Sequence, residues 1–358
     1  MNAPRYFKTP DSKLKLPVFF PDATQAVVKT LDSQDIKSTG TPGILVNTYH
    51  LYRDLDRQLL SQFGGIRLFM GWDGGVISDS GGFQVMSLIK SKKVNGEIID
   101  KGVVIQVSRS RKIIFTPEVS IRFQALLQSD MMVVLDDFTP PGASHRVAQR
   151  TVDRTVDWAR RCRQEFTKLY PTPPRPYLLA VVQGGDFGDL RRECAQRLAA
   201  IGFDGFGYGG WPVKANDDFD YETGQVIADN TPAGYFLYGL GIGKPEDIIG
   251  CVKQGYQIFD CVLPTRDARH RRLYVYQANS FKTINLKKKN FYSFYDVKKG
   301  KTSDQPVSRA CDCLLCRHYS RAYLAHLFQV EPAAAMRLAT IHNLRFYSLL
   351  MALLQGKS

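Results

Sequence analysis

Two groups of residues in this 358-residue chain have the types and spacing to do chemistry. The first is a set of polar residues, Asp79, Asp136, Gln183, Gly210 and Asp260, each at or near the end of a short apolar run. Two carboxylates flanking a glycosidic bond can act as nucleophile and as general acid/base, with the covalent intermediate resolved by a second nucleophile. Aspartate and glutamine side chains, with backbone N–H and C=O groups, also match the donor and acceptor edge of a purine. A single strand-end aspartate is as readily a helix cap. Five such positions together are harder to dismiss.

The second group is Cys311, Cys313 and Cys316, a C-x-C-x2-C run. The other four of the seven cysteines (Cys162, Cys194, Cys251 and Cys261) are scattered singly. The chain begins MNAPRYFKTPDSKLKLPVFF, with no apolar run of signal-peptide length, and no stretch reaches the ~18 apolar residues of a membrane span. It reads as cytoplasmic, where disulfides are rare. The trio then asks for a fourth donor, because zinc in a structural site takes four nitrogen or sulfur ligands in a tetrahedron. His342, within AAAMRLATIHNLRFYSLLMALL, is the best candidate, and His318 and His326 are alternatives. Four protein donors leave no open position, so such a zinc would be structural.

The elements that must position these groups alternate between short apolar strands and amphipathic helices. GILVNTYH (43–50), GVISDSGG (75–82), DMMVVLDD (130–137), LLAVVQGG (178–185), FDGFGYGG (203–210), GYFLYGLG (234–241) and FDCVLPT (259–265) read as strands. Helices are expected at YRDLDRQLLSQFGG, at VSIRFQALLQS behind a Thr116 cap and Pro117, and at TVDRTVDWARRCRQEF, DLRRECAQRLAAIG and EDIIGCVKQG. The charged stretch 90–112 reads as a hairpin-like excursion. Apolar parallel strands joined by helices, with polar residues at their carboxyl ends, predict a TIM-like (β/α)8 barrel with its site on the top face. An open doubly wound sheet is the alternative, but no G-x-G-x-x-G follows the first strand. The expected layout is a barrel over 1–285, a zinc-binding subdomain over 286–345 and a closing helix over 346–358.

Lysine and arginine exceed aspartate and glutamate by 48 to 34, a formal charge of +14. That balance favours a polyanionic partner. The local runs are RSRK (109–112), RDARHRR (266–272), LKKKNF (286–291) and KKGK (298–301), with Phe291, Tyr292, Phe294 and Tyr295 among them. Basic groups interleaved with aromatics are common where a protein touches nucleic acid.

Long ordered motifs now carry a resemblance. DSGGFQVMSL (79–88), DMMVVLDD with the following TP, VVQGG (181–185), GIGKPEDI (241–248), FDCVLPTRDAR (259–269), C-D-C-x2-C-R-x-YSRAYL-x-HLF and TIHNL are similar to those of the tRNA-guanine transglycosylases, as are NTYHL (47–51) and FMGWDG (69–74). The similarity spans roughly residues 40–355. It implies an irregular (β/α)8 barrel with a zinc-bearing insertion near the C-terminus and, usually, a homodimer.

Carried over by position, the resemblance makes Asp260 the nucleophile at C1′ of the target nucleoside and Asp79 the general acid/base. It makes Phe83 a stacking platform, Asp136, Gln183 and the Gly210 backbone the readers of the base edge, and Leu240 an apolar cover. The partners implied are tRNA and a free 7-deazaguanine base. Arg266 and Arg269 would keep Asp260 ionised or contact phosphate, and Lys287, Lys288 and Lys289 would contact the polynucleotide. The target guanine must leave its stack to reach such a pocket.

The chain also departs from the family pattern. Where members continue the glycine-rich strand as G-G-L-[AS]-[VG]-G-E, it reads Gly209-Gly210-Trp211-Pro212-Val213-Lys214-Ala215, and Phe138 stands where many members place a cysteine. Trp211 is bulky and Pro212 has no N–H, so the incoming 7-deazaguanine is left open between queuine and a precursor. Two rival functions share the motifs: a transglycosylase acting on DNA, and a silent tRNA-binding partner subunit, which the presence of both Asp79 and Asp260 disfavours.

Overall fold

The computed structural model describes residues 4–82, 85, 89, 95–106, 112–214, 216 and 218–356. Its centre is a ring of eight parallel strands: β1 (Val18–Pro21), β2 (Gly43–Asn47), β3 (Gly75–Asp79), β4 (Met131–Val133), β5 (Tyr177–Val182), β6 (Gly205–Tyr208), β7 (Phe236–Gly239) and β8 (Ile258–Cys261). The ladder runs from β2 through β3 to β8 and on to β1. Between β1 and β2 only a parallel bridge joins Asp22 to Leu45, with Ala23 N–H donating to Leu45 O at 2.7 Å. This nearly closed eight-stranded parallel barrel is the expected architecture.

Alternation along the strands sorts residues into two layers. Val18, Phe20, Ile77, Met131, Val133, Leu179, Val181, Phe236, Tyr238 and Ile258 fill the interior. Phe19, Met132, Leu178, Ala180, Val182, Leu237 and Phe259 face the helices. The antiparallel pair Tyr6–Lys8 and Lys13–Lys15 places Phe7, fully buried, against Phe20, Tyr177 and Phe236, at ring separations of 5.8, 5.5 and 6.2 Å. Tyr177 and Phe236 begin their strands, so the N-terminal end of the barrel is stoppered and the opposite end is the open one.

β1 was not among the expected strands. Its four residues follow Pro17, end in Pro21 and show no alternation of apolar and polar side chains, because all four are buried. The expected strand 43–50 ends early at Asn47, whose Oδ1 accepts from His50 N–H at 3.1 Å and starts the helix Thr48–Asp54. A second helix, Arg57–Phe63, is capped by Asp56 and closed by Gly64 in the left-handed region. The expected cap at Thr116 accepts from Val119 N–H, with Pro117 at the first helical position. The excursion forms a three-stranded antiparallel sheet of Asn95–Ile99, Gly102–Gln106 and Lys112–Phe115, while most of RSRK lies outside the described residues.

After β8 come the helix Leu263–Arg269, the hairpin strands Arg272–Tyr276 and Tyr292–Asp296, the short helices Leu314–His318 and Arg321–Val330, and the long helix Pro332–Leu354. The last helix is locked to the others through Asn343. Its amide N–H donates to Pro264 O (2.9 Å) and Arg272 O (3.1 Å), and its oxygen accepts from Tyr274 N–H (3.1 Å). Tyr347 ties the same helix to the barrel, ring to ring with Phe19 at 4.4 Å and through its hydroxyl to Gly243 O.

Candidate active site at the mouth of the barrel

The open end gathers the polar residues singled out in the sequence. Asp79 is the last residue of β3 and lies in register with Asn47, the last of β2; Asn47 Nδ2 donates to Asp79 Oδ2 at 3.1 Å. The helix-capping role therefore falls to Asn47, whose other amide atom keeps the Asp79 carboxylate in place. Asp260, on β8, is 7% exposed, and its Oδ1 accepts both the Tyr238 hydroxyl and the Gly241 N–H at 2.9 Å. Burial pushes its carboxyl up to about 7, the carboxylates of Asp79 and Asp22 add to that rise, and the two hydrogen bonds oppose it.

Asp136 and Asp137 follow β4 and take different parts. Asp137 is buried and ion-paired to Arg154 at 2.6 Å. Asp136 Oδ2 accepts from Gln183 Nε2 at 2.7 Å, and Gln183 Oε1 accepts from Thr139 N–H at 3.1 Å. Burial raises the Asp136 carboxyl to about 7, the Gln183 bond opposes the rise, and Asp79 and Asp137 add to it. Asp79 thus acts electrostatically on both Asp136 and Asp260, so the three carboxylates share one space. Gly210, just past β6, holds φ +92°, a backbone state that side chains disfavour. A Cβ on Gly207 would lie 2.7 Å from Leu240 Cδ1, which puts Leu240 against the wall made by β6. Phe83 lies outside the described residues.

The basic candidates follow β8, the two arginines in the next helix and the three lysines beyond it. Arg266 is exposed, Arg269 is half-buried with Nη1 donating to Thr265 O, and Lys287, Lys288 and Lys289 are exposed in the hairpin connection. That hairpin lies on the mouth side, because Tyr292 donates to Glu246 (2.6 Å) in the first turn of the helix Pro245–Lys253, which follows β7. Trp211 is 53% exposed beside Gly210.

The cysteine cluster is complete. Sγ of Cys311, Cys313 and Cys316 and a ring nitrogen of His342 lie within 4.8 Å of one another. His342 Nδ1 is 3.5 Å from Cys313 Sγ and 3.2 Å from Cys316 Sγ. Donor separations of about 3.5 to 3.8 Å are the edges of a tetrahedron with metal–sulfur bonds near 2.3 Å and metal–nitrogen bonds near 2.0 Å. His342 Nε2 lies 2.8 Å from Tyr274 O; donating there, it leaves Nδ1 as the ligand atom. His318 and His326 are not part of the cluster. This set could hold one metal ion.

A family model described as queuine tRNA-ribosyltransferase matches residues 5–356. The chain belongs to the queuine tRNA-ribosyltransferase family. Relatives of that name from Solidesulfovibrio magneticus and Caldanaerobacter subterraneus subsp. tengcongensis are each 37% identical over 344 residues, covering 96% of this chain and 87% and 86% of theirs. One from Dehalococcoides mccartyi is 38% identical over 346 residues, 96% of this chain and 82% of its own.

Three polar residues of this family member's mouth escaped the sequence reading. Tyr238 lies in the apolar run GYFLYGLG and looks like core; only its place two residues before Leu240, near a strand end, hints otherwise. Asn47 carried the same strand-end signal as Asp79. Asp22, at the end of β1, was invisible because β1 itself was. No helix among the described residues is long and apolar enough to cross a membrane.

Proposed function

We propose that the protein is a tRNA-guanine transglycosylase, which exchanges a guanine at the first anticodon position of tRNA for a 7-deazaguanine, queuine or its precursor. The observation that carries this reading is the shared mouth of Asp79, Asp136 and Asp260, with one carboxylate held by Tyr238 and Gly241 and another by Gln183.

Among the described residues, both hydrogen bonds to Asp260 fall on Oδ1, so Oδ2 is the attacking oxygen. It forms a bond to C1′ of the flipped nucleotide while the bond from C1′ to the guanine nitrogen breaks, and Asp79 delivers a proton to the departing base. A 7-deazaguanine then attacks C1′ from the face guanine left. Its ring proton passes to Asp79, and Asp260 is released as a carboxylate. Two displacements on opposite faces retain configuration. Asp136 accepts the amine and imine hydrogens of the guanine edge, Gln183 fixes Asp136, and the Gly210 N–H donates to the base carbonyl. The four sulfur and nitrogen donors near the C-terminus suit zinc, which would cross-link Cys311, Cys313 and Cys316 to the long helix through His342 and take no part in the reaction. A cytoplasmic homodimer completes the reading.

The test is incubation with labelled guanine and either tRNA or duplex DNA. Label is expected in tRNA only. Incorporation into DNA would move the assignment to a DNA-modifying enzyme, and none into either would refute it.

A further inference from the structure

The helix Gly188–Ile201 carries two arginines side by side with opposite fates: Arg192 is exposed and Arg191 is 2% exposed. Arg191 Nε donates to Gly185 O at 2.9 Å, and its Nη1 donates to Val182 O at 2.5 Å and to Gly209 O at 2.6 Å. The guanidinium also lies 5.5 Å from the centre of the Tyr208 ring. Among the described residues none of these bonds goes to a carboxylate. Burying such a charge is costly, and an apolar side chain would fill a helix position without that cost. What an apolar residue lacks is a rigid fork of donors able to serve three carbonyls at once.

Those carbonyls belong to the ends of β5 and β6, the two strand ends that carry Gln183 and Gly210. Glycines let both loops come close to the arginine. A Cβ on Gly184 would stand 2.8 Å from Arg191 N, and one on Gly210 would stand 3.1 Å from Arg191 Nη2. The Gly209 carbonyl and the Gly210 N–H are opposite ends of one planar trans peptide. A donor fixed on the carbonyl therefore fixes the direction of the N–H, and polarising the carbonyl strengthens that N–H as a donor. The bond to Val182 O fixes the peptide at the root of Gln183 in the same way.

We infer that Arg191 is a positioning residue that aims the Gly210 N–H at the carbonyl of the base and steadies the backbone at the root of Gln183. This role rests on the exchange proposed above. It makes Arg191 a determinant of base selectivity that touches neither base nor tRNA.

The test compares guanine with 6-thioguanine, which keeps the ring N–H and amine that face Asp136 but replaces the six-position oxygen with sulfur, a much weaker acceptor, as competitors of labelled guanine incorporation into tRNA. Wild-type protein should prefer guanine by roughly tenfold or more, the effect of one well-aimed hydrogen bond. Arg191→Gln and Arg191→Lys should lose most of that preference through weaker guanine binding, with KM for tRNA within about twofold of wild type. Arg192→Gln should change nothing. A guanine preference intact in both Arg191 variants, or a parallel rise in both KM values, overturns the inference. If Arg191→Gln does not fold, Arg191→Lys, which keeps the charge and one donor, decides; failure of both to fold assigns the residue to stability alone. A wild-type protein that incorporates no guanine refutes the exchange itself.

Discussion

Tyr238→Phe tests whether the hydroxyl on Asp260 governs the ionisation of the proposed nucleophile. The substitution deletes one donor, 2.9 Å from Asp260 Oδ1, at a fully buried position, keeps the ring in place and leaves the Gly241 N–H bond intact. A hydrogen bond to a charged group is worth about 1.5–3 kcal/mol, and a tenfold change in ionisation about 1.4 kcal/mol. Starting from a carboxyl near 7, the acid limb of the kcat/KM profile should move up by about one to two pH units. At pH 7 the ionised fraction then falls from about one half to between roughly 9% and 1%, a loss of about fivefold to fiftyfold. Near pH 9.5 most of the deficit should vanish. The assay is incorporation of labelled guanine into tRNA from pH 5.5 to 10. A rate lowered equally at every pH, with the limb unmoved, would refute the claim that the hydroxyl sets the charge of Asp260.

Four further outcomes follow from the same geometry. Asp260→Asn should abolish both exchange and any covalent adduct that survives denaturing electrophoresis; Asp79→Asn should slow exchange about 10²- to 10⁴-fold and form adduct slowly if at all, and loss of adduct only in Asp79→Asn would swap the two roles. The Asp260 carboxyl is raised in the folded state, so its stability contribution is complete below the unfolded value near 3.8 and is lost as pH rises through about 7. Asp260→Asn should accordingly melt higher than wild type at pH 8, by about 2 °C or more, with the gap closing towards pH 4; a lower melting temperature at pH 8 contradicts this. Cys313→Ala should lose bound zinc, measured by elemental analysis, along with C-terminal stability, and a full zinc complement would count against the site. Neutralising Lys287, Lys288 and Lys289 should reduce the slope of log affinity against log salt by up to about 2 to 3, and an unchanged slope would leave them as a solvated loop.

The barrel was legible because its strands read as short apolar runs with polar residues where each one stops: Asp79, Asp136, Gln183, Gly210 and Asp260 fall at one mouth by following that single regularity. The sulfur and nitrogen cluster was legible for a different reason, since three cysteines within six positions leave little freedom, and His342, the first choice for the fourth donor, is the histidine that the last helix brings to them. What stayed hidden depends on contacts between elements distant in sequence. Val18–Pro21 is a strand only because β8 pairs with it. Tyr238 and Arg191 read as an ordinary core aromatic and an ordinary helix arginine. Their roles come from reaching Asp260 across two adjacent strands and the carbonyls of Val182, Gly185 and Gly209 across two loops. No local pattern encodes an arginine turned inward beside one turned out.

The stopper built around Phe7 bears on the order of events in catalysis. Among the described residues the floor is shut and the interior filled by side chains, so a base reaches the carboxylates from the mouth. For the exchange proposed here, expelled guanine has no back exit: it must depart past the tRNA still bonded to Asp260 before the replacement can dock. Turnover is therefore ping-pong with respect to the two bases, and free guanine competes with the incoming 7-deazaguanine for the same site.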